Sequence, residues 1–165
     1  MSFSVSATTR LARPGEVHGE DYFFESPESF NELIANGGLL EWAEYGGHQY
    51  GTPRAQVDEA LRRGEHIFLD IENDGAAQVK AARVDAVLLF ILPPSLVELE
   101  QRLRRRGDTS EADIEKRLAV VAQQIQDARE RYDWLITNDD LDLAVLQLRR
   151  ILAAAERNSS WQTST

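Results

Sequence analysis

Two arginines and a run of hydroxyl residues near the start of the chain form a pattern suited to anion binding. The stretch FSVSATTRLARPG, residues 3–15, begins with alternating apolar residues, as a strand does, and includes Ser6 and Thr8. Arg10 and Arg13 follow, three residues apart, just before a Pro-Gly turn. A guanidinium can hold a phosphate through two parallel hydrogen bonds, and hydroxyls can complete the shell around it. The segment predicts an oxyanion site at a strand end; the alternative is an arginine-bearing surface loop.

Three apolar runs further along the chain are expected to be buried strands. They are HIFLDI at residues 66–71, VLLFIL at 87–92 and WLI at 134–136. Helical patterns separate them, which indicates an α/β layer fold with ligands at the carboxyl ends of the strands. A site is therefore expected at the polar strand ends, which are Ser6, Asp70 to Glu72, and Asn138.

Local start signals predict where several helices begin. Ser26 and Thr52 each precede a proline, the signature of an N-cap followed by proline at the first helical position. The first helix is expected to end at Gly37 and the second at Gly64. Four further helices are predicted. One spans 75–83, one runs from a cap at Ser95 to Arg106, one begins after a cap at Thr109 or Ser110, and one spans 141–155. Further strands are predicted at 21–24, at 39–45 and around Tyr50.

Composition narrows the class of protein. A chain of 165 residues with 42% apolar content fits one domain with a sizeable core. It has no cysteine, no signal sequence and no apolar stretch long enough to span a bilayer, which together favour a soluble cytoplasmic protein without membrane partners. The formal net charge of −10 argues against nucleic-acid binding. The arginines at 102 and 104–106 form a local cationic patch that suits a small polyanion; the alternative is a solvated helix end.

A set of motifs in order along the chain resembles guanylate kinase, the enzyme that phosphorylates GMP from ATP. The motifs are SVSATTR, PGEVHGEDYFF, LLEWAEY, QYGTP, FILPPS, RRRGDTS and NDDLD, and the resemblance extends from Ser4 to Arg149. It implies an α/β, P-loop-kinase-like three-layer fold with a mostly parallel sheet. It also implies a small mixed-strand GMP-binding insert at about 10–52, a helical lid region at about 102–117 and a polar tail at 157–165, all in one domain.

The same resemblance implies a GMP site. Its residues are Ser6, Arg10, Arg13, Tyr22, Glu41, Tyr50, Thr52 and Glu72. Arg10 and Arg13, with Tyr22 and Tyr50, match the family's clamp on the GMP phosphate, while Glu41 matches its guanine reader. A carboxylate can accept hydrogen bonds from the ring N1–H and the exocyclic amine of guanine, and adenine lacks that pair of donors.

The resemblance also implies a transfer site. Arg102, Arg106 and Arg117 match arginines that contact ATP phosphates, and Asn138 matches the loop near the adenine. Asp70, together with Glu72, matches an acidic pair close to the reacting phosphates and Mg²⁺, which comes with ATP; no tightly bound cofactor and no protein-held metal are expected. Family members usually have Asp-Val-Gln-Gly where this chain has Glu-Asn-Asp-Gly at 72–75, so the chain departs from the family pattern at Glu72.

One part of the family pattern is missing from the printed sequence. Neither lysine, Lys80 or Lys116, belongs to a Gly-Lys-Ser/Thr phosphate loop, and the family's first strand and first helix would precede SVSATTR. We expect this loss to leave two strand edges unpaired, at 66–71 and 87–92, which self-association or a partner chain could cover. Three explanations stay open: a shortened guanylate kinase of weak activity, one half of a split enzyme, or a non-catalytic module that binds GMP or a phosphopeptide.

Overall fold

Short strands and longer helices alternate along the chain, as the apolar pattern predicts. A computed structural model describes residues 2–106 and 111–159. In chain order the elements are β1 (Ser2–Phe3), β2 (Ala7–Thr8), β3 (Phe23–Phe24), α1 (Pro27–Ala35), β4 (Leu39–Tyr45), β5 (His48–Pro53), α2 (Arg54–Arg62), β6 (Ile67–Phe68), α3 (Asn73–Ala82), β7 (Leu89–Leu92), α4 (Leu96–Arg106), α5 (Glu111–Arg131), β8 (Trp134–Thr137) and α6 (Leu141–Ser159). They divide into two units, Met1–Ala86 and Val87–Thr165.

The first unit contains a four-stranded mixed sheet in the order β3-β2-β5-β4. Strands β4 and β5 form its hairpin, and their two-residue connection is Gly46-Gly47. Both glycines have positive φ, +61° and +79°, which a tight hairpin turn of this length requires at both central positions. Strand β4 lies at the edge of this sheet, and the helix α3 packs against it.

Two clusters of buried side chains hold the first unit together. Phe30 of α1 packs with Ala7 and Leu39 on the sheet. Leu40 of β4 packs with Val57 of α2 and Val79 of α3 in the second cluster, to which Ile67, Leu69, Ile71 and Ala86 add their side chains. Of the two neighbours of Glu41 in β4, Leu40 is thus fixed by packing, and Trp42 is held by its pairing with Gly51 of β5.

The second unit is built on the parallel pair β7 and β8. Ile136 of β8 is 1% exposed and packs with Ala144 and Ile151 of α6. Helices α4 and α5 contact each other in the same unit. Within the described residues, no helix combines the length and apolar character that crossing a bilayer requires.

Several predicted elements are confirmed. The Oγ atom of Ser26 accepts a hydrogen bond from the backbone N–H of Ser29 at 3.1 Å, so it caps α1 as predicted. Ser95 caps α4 in the same way, through Glu98 N at 3.1 Å. Strand β4 has the predicted bounds, and the parallel pairings β1–β6 and β7–β8 agree with the parallel sheet that was expected.

Other predictions need correction. Thr52 does not cap α2; it lies within β5, and the N-cap residue is Pro53, whose side chain has no acceptor, so no side chain caps that helix. The strand predicted at 66–71 is paired only at Ile67–Phe68, and α3 begins at Asn73 rather than Gly75. Strand β8 is not buried throughout, since Trp134 is 48% exposed, and α6 continues past the predicted end at residue 155.

Three predictions stay untested by these elements. The caps proposed at Thr109 or Ser110 lie outside the described residues, as do residues 160–165 of the predicted polar tail. The division into one domain with an insert at about 10–52 and a lid at about 102–117 stays a prediction. Within the described part of the chain, β6 pairs only with β1 and β7 only with β8, so each has one edge without a neighbouring strand, as was expected.

Candidate functional site

A hollow of about 270 Å³ lies in the first unit beside the edge of the four-stranded sheet. Strands β4 and β5 and the segment between β6 and α3 supply most of its wall. The residues that line it are Ser6, Tyr22, Glu41, Ala43, Tyr45, Tyr50, Gly51, Asp70, Ile71 and Glu72. Six of the predicted GMP-site and catalytic residues are therefore brought together: Ser6, Tyr22, Glu41, Tyr50, Asp70 and Glu72.

Glu41 is a buried carboxylate in the wall of this hollow. Glu41 is 4% exposed, and its Oε1 atom accepts a hydrogen bond from the hydroxyl of Thr52 at 2.7 Å. The two residues are paired partners on β4 and β5, so the strand register brings them together. Burial raises the pKa of Glu41 above its ordinary value, because desolvation penalises the charged form, and hydrogen bonding from Thr52 partly offsets that rise.

The Glu41 side chain can accept further hydrogen bonds from a molecule in the hollow. An ionised carboxylate is an acceptor only and has about four lone-pair sites, of which the Thr52 hydroxyl occupies one. A buried carboxylate of this kind selects ligands that present N–H donors, because an acceptor opposite it would leave the charge uncompensated. The buried carboxylate therefore favours a ligand that presents adjacent hydrogen-bond donors.

Two tyrosines form another part of the wall. The rings of Tyr22 and Tyr50 meet edge to face, with centroids 6.2 Å apart. The Arg10 guanidinium carbon lies 5.3 Å from the Tyr22 ring centre and 5.8 Å from the Phe24 ring centre. A cation and phenol hydroxyls are thus grouped beside the hollow, and these are groups that suit an anion.

Arg10 is held in place by Glu16, a contact that the sequence patterns did not reveal. The Nη1 and Nη2 atoms of Arg10 each donate to a different oxygen of Glu16 at 2.9 Å, which is the bidentate geometry. The backbone N–H of Arg13 also donates to Glu16, at 2.6 Å. The hydrogen bond from Arg10 is the main reason that the pKa of Glu16 lies below its ordinary value, and the pKa of Arg10 is raised in turn. The sequence did contain a signal for this contact, because Glu16 follows Arg13 by three residues in the same loop and could have been expected to pair with an arginine there.

The remaining GMP-site residues do not line the hollow. Arg13 is exposed on the loop that Glu16 organises. Thr52 is fully buried behind Glu41 and reaches the hollow only through its hydrogen bond. Four lining residues were not predicted as site residues from the sequence. Ala43, Tyr45 and Gly51 are placed beside Glu41 and Tyr50 by their strands, and Ile71 lies between Asp70 and Glu72.

Asp70 and Glu72 bring two further carboxylates to the wall of the hollow. Both follow β6, at the polar strand end where a site was expected. Within 2–106 and 111–159, no group of three or more histidine, cysteine, aspartate or glutamate side chains is arranged to hold a metal ion.

The second unit contains the other predicted residues. Arg102 of α4 donates to Glu98 at 2.8 Å and to the backbone carbonyl of Asn138 at 2.9 Å, so two of the predicted ATP-site residues are in contact. The Arg102 bond is the main reason that the pKa of Glu98 is lowered. Arg117 is half-buried on α5, and the side chain of Arg106 lies outside the described part of the chain.

The fold and the hollow together define a class of protein. Parallel strand pairs alternate with helices, and a hollow at the strand ends combines a buried carboxylate acceptor, phenols and an arginine loop. These features define an α/β protein that binds a small ligand at its strand ends, and the carboxylate, phenols and arginines suit a nucleotide.

Comparison with known proteins identifies the family, and the chain belongs to the guanylate kinases. The guanylate kinase family model matches residues 1–155. A guanylate kinase of Streptococcus thermophilus is 51% identical over 158 residues, which cover 92% of this chain and 72% of that protein. A guanylate kinase of Thermus thermophilus is 50% identical over 157 residues, which cover 95% of this chain and 71% of that protein.

A solved structure supports the same assignment. The crystal structure of guanylate kinase from Anaplasma phagocytophilum matches with a TM-score of 0.76 at 37% sequence identity. The match covers 92% of this chain and 74% of that chain. The protein therefore has a P-loop kinase fold and is a guanylate kinase homologue, whose family converts ATP and GMP into ADP and GDP.

Proposed function

We propose that the hollow in the first unit is the GMP site of this protein and that Glu41 recognises the guanine base. One observation carries the proposal: the carboxylate of Glu41 is buried in the wall of the hollow, with Thr52 behind it as a donor. The N1–H and 2-amino groups of guanine supply two adjacent donors to such a carboxylate. Adenine presents an unprotonated N1 at the corresponding position and would leave the buried charge without partners on that side.

The loop of Arg10 and Arg13 holds the phosphate in this proposal. Contacts with Glu16 and the Leu11 carbonyl engage three N–H groups of the Arg10 guanidinium, which has five. The remaining donors would serve the phosphate, and the phenols of Tyr22 and Tyr50 would donate to it without adding charge. Ser6 adds a hydroxyl at the same wall.

The groups that assist phosphoryl transfer are proposed from the family reaction. Arg102, Arg106 and Arg117 would neutralise ATP phosphates, and Asn138 would lie near the adenine. Mg²⁺ neutralises phosphate charge when it is bound with the nucleotide, and oxygen ligands are those it prefers. Asp70 and Glu72 line the hollow and would lie close to that Mg²⁺ and to the reacting phosphates, without serving as a metal site of the protein itself.

Calorimetric titration of the 165-residue chain with GMP, IMP and AMP tests the proposal. We expect GMP to bind more tightly than AMP. Glu41→Gln replaces an acceptor by an amide that opposes one guanine donor, so GMP affinity falls by the value of one charge-assisted hydrogen bond, about 1.5–3 kcal/mol or roughly 10- to 150-fold. AMP affinity changes little.

Glu44→Gln is the matched control, because Glu44 is an exposed glutamate on the same strand. It should leave the affinities for all three nucleotides unchanged. Equal binding of GMP and AMP by the unmodified chain would refute the assignment.

A further inference from the structure

A glycine on α3 lies against the carboxylate of Glu41. Gly75 is the third residue of this helix and is buried. A Cβ atom built on Gly75 would lie 2.2 Å from Glu41 Oε2 and 3.0 Å from Glu41 Cδ. Separations below about 3 Å do not occur between such atoms, so any side chain at this position would displace the carboxylate or the helix.

The backbone at Gly75 gives no other reason for glycine. Its φ is not among the positive values of the chain, and the residue lies in a regular helical turn. Alanine is more favourable than glycine within a helix, because glycine loses more backbone freedom when it is ordered. The helix therefore carries an unfavourable residue at a position that touches Glu41 Oε2.

A second residue of α3 fixes the backbone next to Glu41. The Gln78 amide accepts a hydrogen bond from Trp42 N at 3.2 Å and donates one to Trp42 O at 2.7 Å. Trp42 directly follows Glu41 on β4, whose outer edge pairs with no further strand in its four-stranded sheet. Gln78 thus bonds to that edge as a neighbouring strand would, and it lies three residues after Gly75, on the same side of the helix.

We propose that α3 sets the base selectivity of the hollow, with Gly75 and Gln78 as positioning residues for Glu41. Gly75 leaves the space that Oε2 occupies, and Gln78 holds the strand backbone beside it. Selectivity depends on this placement because hydrogen bonds weaken steeply when distance or angle departs from the optimum. The proposal rests on the proposed function, since it concerns how Glu41 meets a guanine base.

Nucleotide titrations test the selectivity. In Gly75→Ala we expect GMP affinity to fall by roughly 10- to 150-fold, the loss of one hydrogen bond to a charged group, while AMP affinity stays unchanged. Gln78→Met keeps the length of the side chain and removes the amide, so it should lower the ratio of GMP to AMP affinity in the same direction by a smaller factor. Ala77→Ser, at an exposed position of α3, is the control and should leave the ratio unchanged.

Unfolding measurements test the steric contact without any nucleotide. Gly75→Ala should lower Tm in the unmodified chain, because the new methyl group collides with Glu41. In a Glu41→Ala background the same change should raise Tm, because the space is then free and alanine favours the helix. If glycine were needed here only for the backbone conformation, Gly75→Ala would shift Tm in the same direction in both backgrounds.

The outcomes separate the two levels of the proposal. A Gly75→Ala variant that weakens GMP and AMP equally, or neither, would overturn the selectivity role. Equal Tm effects in both backgrounds would overturn the steric contact. If the unmodified chain binds GMP and AMP alike, the proposed function fails and the selectivity role with it, and the sign of the two Tm shifts still decides whether Gly75 positions Glu41.

Discussion

The hydrogen bond between Thr52 and Glu41 gives the sharpest prediction about stability. Thr52→Val replaces the hydroxyl by a methyl group of similar size, so the buried strand position keeps its shape and its β-branched side chain. The change removes the hydroxyl donor to Oε1 of a carboxylate that is only 4% exposed. A hydrogen bond to a charged group contributes about 1.5–3 kcal/mol, and we expect the free energy of unfolding to fall by that amount at neutral pH.

The loss of stability caused by Thr52→Val should depend on pH, and the raised pKa of Glu41 determines whether that loss grows or shrinks as pH rises. The folded state holds the Glu41 proton to a higher pH than the unfolded chain, so this residue lowers stability as pH rises from the ordinary value of 4.5 through the folded pKa. Loss of the Thr52 donor raises the folded pKa further, so the variant loses additional stability over the same rise in pH. Near pH 4, where the carboxyl is protonated, the penalty should shrink to that of a neutral hydrogen bond, about 0.5–1.5 kcal/mol.

Thr8→Val is the matched comparison. Thr8 is also fully buried, but its hydroxyl donates to the backbone carbonyl of Gln49 at 2.9 Å and accepts from the backbone N–H of Arg10 at 3.1 Å, and neither of these groups titrates. Urea unfolding followed by circular dichroism at pH 4, 6 and 8 should therefore give a penalty that grows with pH for Thr52→Val and stays constant for Thr8→Val. A Thr52→Val penalty that is the same at pH 4 and pH 8 would refute the reasoning.

Two further predictions concern the arginine loop and the second unit. Glu16→Gln removes the charge that orients Arg10, so calorimetry should show GMP affinity several-fold weaker, with Glu20→Gln as an exposed control; tighter binding would mean that Glu16 competes with the phosphate. The pKa of Glu16 is lowered by its bond to Arg10. This pairing therefore stabilises the folded chain at pH values above the ordinary pKa of 4.5, and the stabilisation is lost as pH falls through the lower folded pKa. Ile136→Ala empties a position that is 1% exposed and should cost about 2–5 kcal/mol in urea unfolding, whereas Leu135→Ala, at 38% exposure, should cost clearly less; equal costs would contradict this account of the core.

The sequence alone determined the features that depend on neighbouring residues. The caps at Ser26 and Ser95 follow from a hydroxyl placed before a helical pattern, because the bond spans only three residues. The strand at 39–45 lies between two glycine pairs, Gly37-Gly38 and Gly46-Gly47, which mark its ends in the sequence. The motifs that resemble guanylate kinase were sufficient for the family, which the comparisons confirm, and their residue types suggested which side chains could bind a nucleotide.

Tertiary structure decided the features that join distant parts of the chain. The Thr52 hydroxyl looked like a helix cap, but Thr52 lies within β5, and the strand register pairs it with Glu41, to which its hydroxyl donates a hydrogen bond. Two strands and a helix separate Gly75 from Glu41 in the sequence. Only the packing of α3 on β4 shows why a side chain is excluded at Gly75. Local patterns report the preferences of the backbone, whereas the space around a buried charge depends on which elements meet, and that depends on the packing of the whole unit.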